Sequence, residues 1–431
     1  MPTTVDRLLV HAGELLTARA GPRGAVGAAL EDPEVIPDGA LALAGGRIVD
    51  VGDSATLLAR CDATVVQDVE GRLVTPGFVD SHVHLVHGGA RHAEYDRRIR
   101  GLPPPSGAPA GIAATMAQTA ATDDAALLAR AHRDLDVMLA HGTTTTEAKT
   151  GYGDGLDEEW RLLRLTGALS HPVTVVPTFL PAHALPPSQA HDRRGFLDQV
   201  VGAVPEAVGR AAFVDVFCDP LGFTVEECER VLAAAQRAGL PRKVHADQTA
   251  DVGATALAAR RGATSIDHVD HADAAAIEAL AAAGSVAVLL PGVAHHLGEL
   301  TPDRAGHVAK PHLPAQAQRL IDAGATVALS TDFNPGTSPT PSMQTVLELA
   351  VRLFRVSAAA AWQMATINGA HALGVAARCG SLEPGKAADL VVWDVASHQQ
   401  VTNRFGTNQV RSVLVGGEPV AGEGREGMRS R

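Results

Sequence analysis

The sequence predicts an α/β protein of TIM type, a (β/α)8 barrel with a small β-domain formed by both chain ends. Three observations lead there. Between residues 78 and 374, short apolar, β-branched runs alternate eight times with longer Ala-, Leu-, Glu- and Arg-rich segments, which is the pattern of repeated βα units. Glycine recurs shortly before several of the strand-like runs, in A-G-L-P, R-G-A-T, A-G-S-V and A-G-A-T, where a chain must leave a helix and turn back. Near both ends a Gly-Gly pair sits within apolar alternation, at 39–52 (GALALAGGRIVDVG) and 410–420 (VRSVLVGGEPV), and each reads as a β-hairpin.

In order, the expected barrel strands are FVDSHVHLV, TTTTEAKT, VTVVPTFL, FVDVFC, RKVHAD, TSIDHV, VAVLLP and TVALSTD. Segments 127–141 and 225–239 place apolar residues at helical spacing and stop at or beside a glycine, so they are expected in the outer helical ring. The chain divides into an N-terminal part of the β-domain (1–75), the barrel (76–378) and a C-terminal part of the β-domain (379–431). The barrel is thus inserted between the halves of the smaller domain, with junctions near Pro76 and Pro384. The run 18–29 and the tail from 421 carry no periodicity and read as a loop and a frayed end.

Composition narrows the function. The 431 residues are 46% hydrophobic and 19% charged, enough for a buried core and unlike a disordered chain. A net charge of −12 repels polyanions, so nucleic acid is not an expected partner. Cys61, Cys218, Cys228 and Cys379 are scattered and read as reduced thiols. Charges interrupt every apolar run of the first residues, so no secretory core is expected and the cytoplasm is the expected compartment. The longest apolar stretch, 279–294, is broken by Gly284, Pro291 and Gly292 and is too short to span a membrane.

In such a barrel chemistry belongs at the C-terminal ends of the strands. His82 and His84 fall at the end of strand one, His183 just after strand three, His245 at the end of strand five, His268 at the end of strand six and Asp332 at the end of strand eight. His82 and His84 share one face of an extended segment, so both rings can reach one ion. Among 19 histidines one H-x-H pair is within chance. Its weight comes from His245 and Asp332, which complete a three-nitrogen, one-oxygen shell suited to zinc or iron.

His268 reads as a fifth ligand, a catalytic group beside the metal or a satisfied core histidine, the second being favoured. The fourth strand ends without a lysine to bridge a second ion, so one metal per chain is expected. Lys149 is expected to pair with a carboxylate such as Glu147. Arg91, in the loop after strand one, is either a surface arginine or a bidentate clamp for a substrate carboxylate. Tyr152, Gln248 and Asn334 lie at the same mouth. His295, His296, His307 and His312 are expected in a long, solvated loop after strand seven that could line a lid.

Together these segments resemble the imidazolonepropionases of the amidohydrolase superfamily, from about residue 39 to 420. The pieces that carry the likeness are TPGFVDSHVHLVHGGAR, GTTTTEAKTGYG, PTFLPAHALP, VDVFC, VHADQ, IDHVD, VAVLLPG and STDFNPGTSP, in family order. The resemblance implies that His82, His84, His245 and Asp332 hold one Zn2+ or Fe3+ per chain. It implies substrate contacts at Arg91, Tyr152, His183, Gln248, Asn334, Gly336 and Thr337, with His268 as the superfamily's catalytic histidine. The implied reaction is hydrolysis of the ring amide of 4-imidazolone-5-propanoate, a small substrate with a carboxylate arm, by a metal-activated water; Asp332 would carry the proton and His268 polarise the carbonyl. A homodimer is the expected assembly.

The sequence departs from the family in three loops, GYGDGLD, GLPPPSGAPAGI and PGVAHHLGEL, and such loops set barrel specificity. A nucleobase-type aminohydrolase is the nearest rival, but it commonly has a glutamate three residues after the fifth-strand histidine, where this chain has Gln248. A non-catalytic barrel would be expected to lack a ligand, and none is missing.

Overall fold

The structure, a computed structural model, describes residues 2–103, 109–303 and 305–422. Eight parallel strands lie side by side in chain order: β1 (Phe78–Asp80), β2 (Thr143–Lys149), β3 (Thr174–Ala182), β4 (Phe213–Cys218), β5 (Lys243–Ala246), β6 (Ser265–His268), β7 (Val286–Leu289) and β8 (Thr326–Leu329). Just beyond β1 and β8 the ring closes through a parallel bridge between Val83 and Phe333, where the His84 N–H donates to the Phe333 carbonyl at 2.9 Å. A polar latch reinforces this seam. Thr331 donates to the Asp80 carboxylate through its N–H (3.0 Å) and its hydroxyl (2.7 Å), and Ser330 bonds the same carboxylate.

Helices follow the strands on the outside, and their stops are chemical. The helix Val225–Ala238 begins on a capping box formed by Thr224 and Glu227 and ends on Gly239 at φ 74°; the helix Ala274–Ala283 ends on Gly284 at φ 72°. Left-handed backbone is costly for any residue with a Cβ, so these glycines do mark the turns back to the sheet.

Both chain ends meet in a second sheet. Its order is Glu418–Gly422, Val410–Val415, Leu390–Trp393, Val74–Pro76, Thr3–Leu16, Val35–Ala44 and Arg47–Asp53, with Cys61–Asp68 also paired to Thr3–Leu16. The expected hairpins are present. Gly45 and Gly46 (φ 57° and 75°) turn one, and Gly416 and Gly417 (φ 57° and 78°) the other, as a two-residue turn matched to strand twist requires. Phe78, Trp362 and Trp393 form an aromatic cluster with ring centroids 5.1–5.6 Å apart, joining the start of β1 to the smaller sheet.

Two expectations need correction, and a third holds with added detail. Several strand-like runs, the first, fifth, sixth and eighth among them, are too long at their C-terminal ends: His82, His84, Asp247, Val269 and Asp332 lie beyond the strands, and Asp247, Val269 and Asp332 have positive φ. The 18–29 run is the expected loop, closed by a 3-10 turn from Gly27, and it is packed down: Asn368 accepts from the Ala25 N–H (2.8 Å) and donates to the Ala25 carbonyl (2.9 Å), while Gln363 donates to the carbonyls of Ala29 and Leu30. The segment after β7 is not all solvated loop. His295 and His296 belong to a helix, Pro291–His296; the His296 ring stacks on Tyr95 at 4.2 Å, and His312 Nε2 lies 2.9 Å from the Asp270 carbonyl oxygen. Part of the GLPPPSGAPAGI loop, 104–108, and the tail 423–431 lie outside the described residues. No helix among the described residues is long and apolar enough to cross a membrane.

Candidate metal centre

His245 and His268 project from β5 and β6 themselves, whereas His82, His84 and Asp332 are delivered by backbone that has left the sheet. His82 and His84 follow β1, and the His82 N–H is tied to Ser330 Oγ at 2.7 Å. At the other side of the seam Asp332 adopts φ 49°, and on β6 His268 adopts φ 71°. A left-handed residue breaks the period-two alternation of a strand, so Asp267 and His268, adjacent in sequence, both turn inward.

Four donor atoms converge. His82 Nε2 lies 3.5 Å from Asp332 Oδ1, His84 Nε2 3.6 Å from the same oxygen, and His245 Nε2 3.5 Å from His84 Nε2. A tetrahedral shell with bonds of about 2.1 Å has edges of about 3.4 Å between ligands, so these separations suit one ion. His82 Nε2 is buried without a hydrogen-bond partner, which is costly for a polar atom unless something else binds there. Donors of His82, His84 and His245, and likewise of His82, His268 and Asp332, lie within 4.8 Å of one another. Burial pushes His82, His84 and His268 well below the usual histidine range, so the rings are neutral and their lone pairs available. Burial also pushes Asp332 well above the usual carboxylate range, a cost that a cation at the convergence point relieves.

Behind the donors stands a buried ionic layer that the sequence reading missed apart from Lys149 and Glu147. The Lys149 ammonium lies 2.6 Å from Asp215, 3.0 Å from Glu147 and 3.4 Å from Asp267. Asp267 in turn lies 2.6 Å from His82 Nδ1 and Asp215 3.1 Å from His245 Nδ1. Burial opposes the Lys149 charge, yet Asp215, Glu147 and Asp267 together hold its pKa above the ordinary value. The expected pair with Glu147 therefore exists, but Asp215 is closer. A signal was available: Asp215 and Asp267 are charges within apolar barrel strands, and a charge there must face inward and be paired.

Above the donors opens a cavity of about 330 Å³ lined by His84, His245, His268 and Asp332, and by Arg91, Tyr152, His183, Gln248, Asn334 and Thr337. Arg91 is only 9% exposed, which rules out the surface-arginine reading. Its Nε and Nη2 both bond Glu94, at 3.2 and 2.6 Å. Gly336 stands against the same guanidinium; a Cβ there would lie 1.8 Å from Arg91 Nη1, so any larger residue would displace the guanidinium. Asn334 spends its amide on its own loop, donating to the Asp332 carbonyl and Thr337 Oγ1 and accepting from the N–H groups of Gly336 and Thr337. His183 stacks on His84 with centroids 4.9 Å apart.

A barrel whose strand ends gather three histidines and an aspartate around one point defines a metal-dependent hydrolase. The amidohydrolase family profile matches residues 73–420. The chain is 42% identical to the imidazolonepropionase of Sphingopyxis alaskensis over 393 residues, 90% of this chain and 94% of that protein. It is 37% identical to the imidazolonepropionase of Bacillus velezensis over 436 residues, 99% of each. The chain therefore belongs to the imidazolonepropionase family of amidohydrolases. Among solved structures it resembles 5-methylcytosine deaminase from Klebsiella pneumoniae (TM-score 0.72, 16% identity, 96% of this chain and 98% of that one) and E. coli guanine deaminase (TM-score 0.70, 17% identity, 97% and 100%). At such identities the likeness is one of fold.

Proposed function

We propose that the protein hydrolyses the ring amide C–N bond of 4-imidazolone-5-propanoate to give N-formimidoyl-L-glutamate, a step of histidine degradation. The observation that carries this reading is the cavity itself: a buried arginine faces the same small space as His84, His245 and Asp332, with His82 Nε2 3.5 Å from Asp332 Oδ1. These four residues would hold one ion per chain, and three imidazoles with one carboxylate suit either Zn2+ or Fe3+. When bound, the metal supplies Lewis acidity and an acidified water at neutral pH.

Arg91, oriented by Glu94, binds the propionate arm and fixes the ring over the donors, so that binding energy goes into orientation. Asp332 takes the proton of the attacking water and returns it to the departing ring nitrogen. His268 polarises the ring carbonyl and stabilises the charge that grows on its oxygen. Attack on that carbonyl breaks the adjacent C–N bond, leaving a new carboxylate and a formimidoyl group on the amine. Tyr152, His183, Gln248 and Thr337 contact the ring from the walls, with Asn334 and Gly336 shaping the floor beside Arg91. Gln248 carries no transferable proton of the kind a deaminase glutamate shuttles, which favours ring opening over ammonia release. A homodimer in the cytoplasm belongs to the same proposal and is checked by light scattering and cell fractionation.

The test is direct. Metal-loaded protein incubated with freshly generated imidazolone propionate should consume the ring absorbance and yield N-formimidoyl-L-glutamate. Turnover no faster than spontaneous decay would move the substrate to another cyclic amide.

A further inference from the structure

Tyr152 and His183 reach the cavity from different segments, yet one side chain outside it holds both. Glu159 lies on the helix Leu156–Gly167 and is 2% exposed. Its Oε2 accepts from the Gly151 N–H at 2.8 Å and its Oε1 from the Gly153 N–H at 2.6 Å, so the two oxygens grip the residues on either side of Tyr152. Gly151 then passes the constraint on, because His183 Nδ1 lies 2.9 Å from the Gly151 carbonyl oxygen. A carbonyl only accepts, so Nδ1 carries the proton and the other nitrogen keeps its lone pair. The glycines are fitted to this grip: a Cβ at Gly153 would meet Glu159 Oε1 at 2.8 Å, and one at Gly151, where φ is 110°, would meet His183 Nδ1 at 2.9 Å.

We infer that Glu159 is a positioning residue for substrate binding, setting the Tyr152 ring and the His183 tautomer through the 151–153 backbone. The inference rests on the proposed substrate contacts of Tyr152 and His183. It gives the GYGDGLD loop, one of the departures from the family, a defined anchor in the helix that follows it.

The grip needs the carboxylate, because a protonated carboxyl presents a hydroxyl that cannot accept in the same way. Burial raises Glu159 to about 7 against the opposing bonds of Thr150, Gly153 and Gly151, and the neighbouring Glu158 charge adds to the rise. Of the titratable groups in the loop it holds, burial pushes His183 down to about 3 and Tyr152 up out of the neutral range. Lowering the pH through neutrality therefore loosens this loop by way of Glu159.

KM and kcat for 4-imidazolone-5-propanoate should be measured from about pH 5.5 to 8.5 in the metal-loaded wild type and in Glu159→Gln, with metal content alongside. Expected are a KM raised about tenfold at pH 8 in Glu159→Gln, kcat within about threefold of wild type and unchanged metal content. The wild-type KM should climb as pH falls through about 7 toward the value that the variant shows throughout. A variant KM equal to the wild type at high pH, or one with the same pH dependence, overturns the inference. Tyr152→Phe and His183→Ala separate it from the reading beneath it: if neither raises KM, the substrate contacts are wrong and the inference falls with them. If either raises KM while Glu159→Gln does not, only the inference fails. Glu159→Asp, which keeps the charge but reaches one amide, serves if the glutamine variant does not fold, and a flat wild-type KM overturns the inference whether or not either folds.

Discussion

Two of the candidate metal-binding histidines have a buried carboxylate beside Nδ1. His82 turns Nε2 to the convergence point and Nδ1 to Asp267, and His245 turns Nδ1 to Asp215. Such partners fix the tautomer and raise the basicity of the ligand nitrogen. Asp267→Asn should therefore weaken metal binding about 10- to 100-fold, read by chelator competition; wild-type affinity would mean that His82 needs no such partner. Arg91 tests the other end of the site. Arg91→Met should raise KM for 4-imidazolone-5-propanoate at least about tenfold and much less for an analogue without the propionate, since a charge-assisted contact is lost only with the first. Equal effects on both compounds would place the arginine elsewhere in the mechanism.

At the scale of elements, β2 shows what the barrel interior demands. Every residue of TTTTEAK is buried, and its lysine stands among three carboxylates, Glu147, Asp215 and Asp267. Removing one partner from a buried ionic cluster leaves uncompensated charge, at a cost of about 3–5 kcal/mol. Lys149→Met should lower the unfolding free energy in urea by that order, and an unchanged midpoint would show the carboxylates to be neutral. The cores of the barrel strands were legible from β-branched runs, and FVDVFC coincides with β4. The C-terminal ends of several others were not, because the change to positive φ at Asp247, Val269 and Asp332 depends on contacts across the mouth that local propensity does not encode.

For the whole molecule, the aromatic cluster makes the two sheets interdependent. Trp393, from the C-terminal part of the chain, packs on Phe78 of β1 and donates its Nε1–H to Thr75 Oγ1 at 2.9 Å. The barrel and the smaller sheet should thus unfold in one calorimetric transition that coincides with the change in tryptophan fluorescence; two separated transitions would show independent units. Metal removal should lower the midpoint of that transition, because an ion that binds only the folded chain stabilises it by about 2.7 kcal/mol at a hundredfold excess over Kd. A midpoint indifferent to chelator would argue against an ion at this site.

The sequence alone determined the eight βα repeats, the two Gly-Gly hairpins, the family and the residues that gather at the mouth. Those features are local: periodicity, turn chemistry and the rule that barrel chemistry lies at strand ends can each be read along the chain. Tertiary structure decided the rest. His82 and Asp267 are 185 residues apart, Lys149 spans three strands, and Glu94 binds an arginine that spacing alone left as either clamp or surface charge. Which buried charge meets which is set by barrel closure, since pairing inside a low-dielectric core depends on distance through space and not along the sequence.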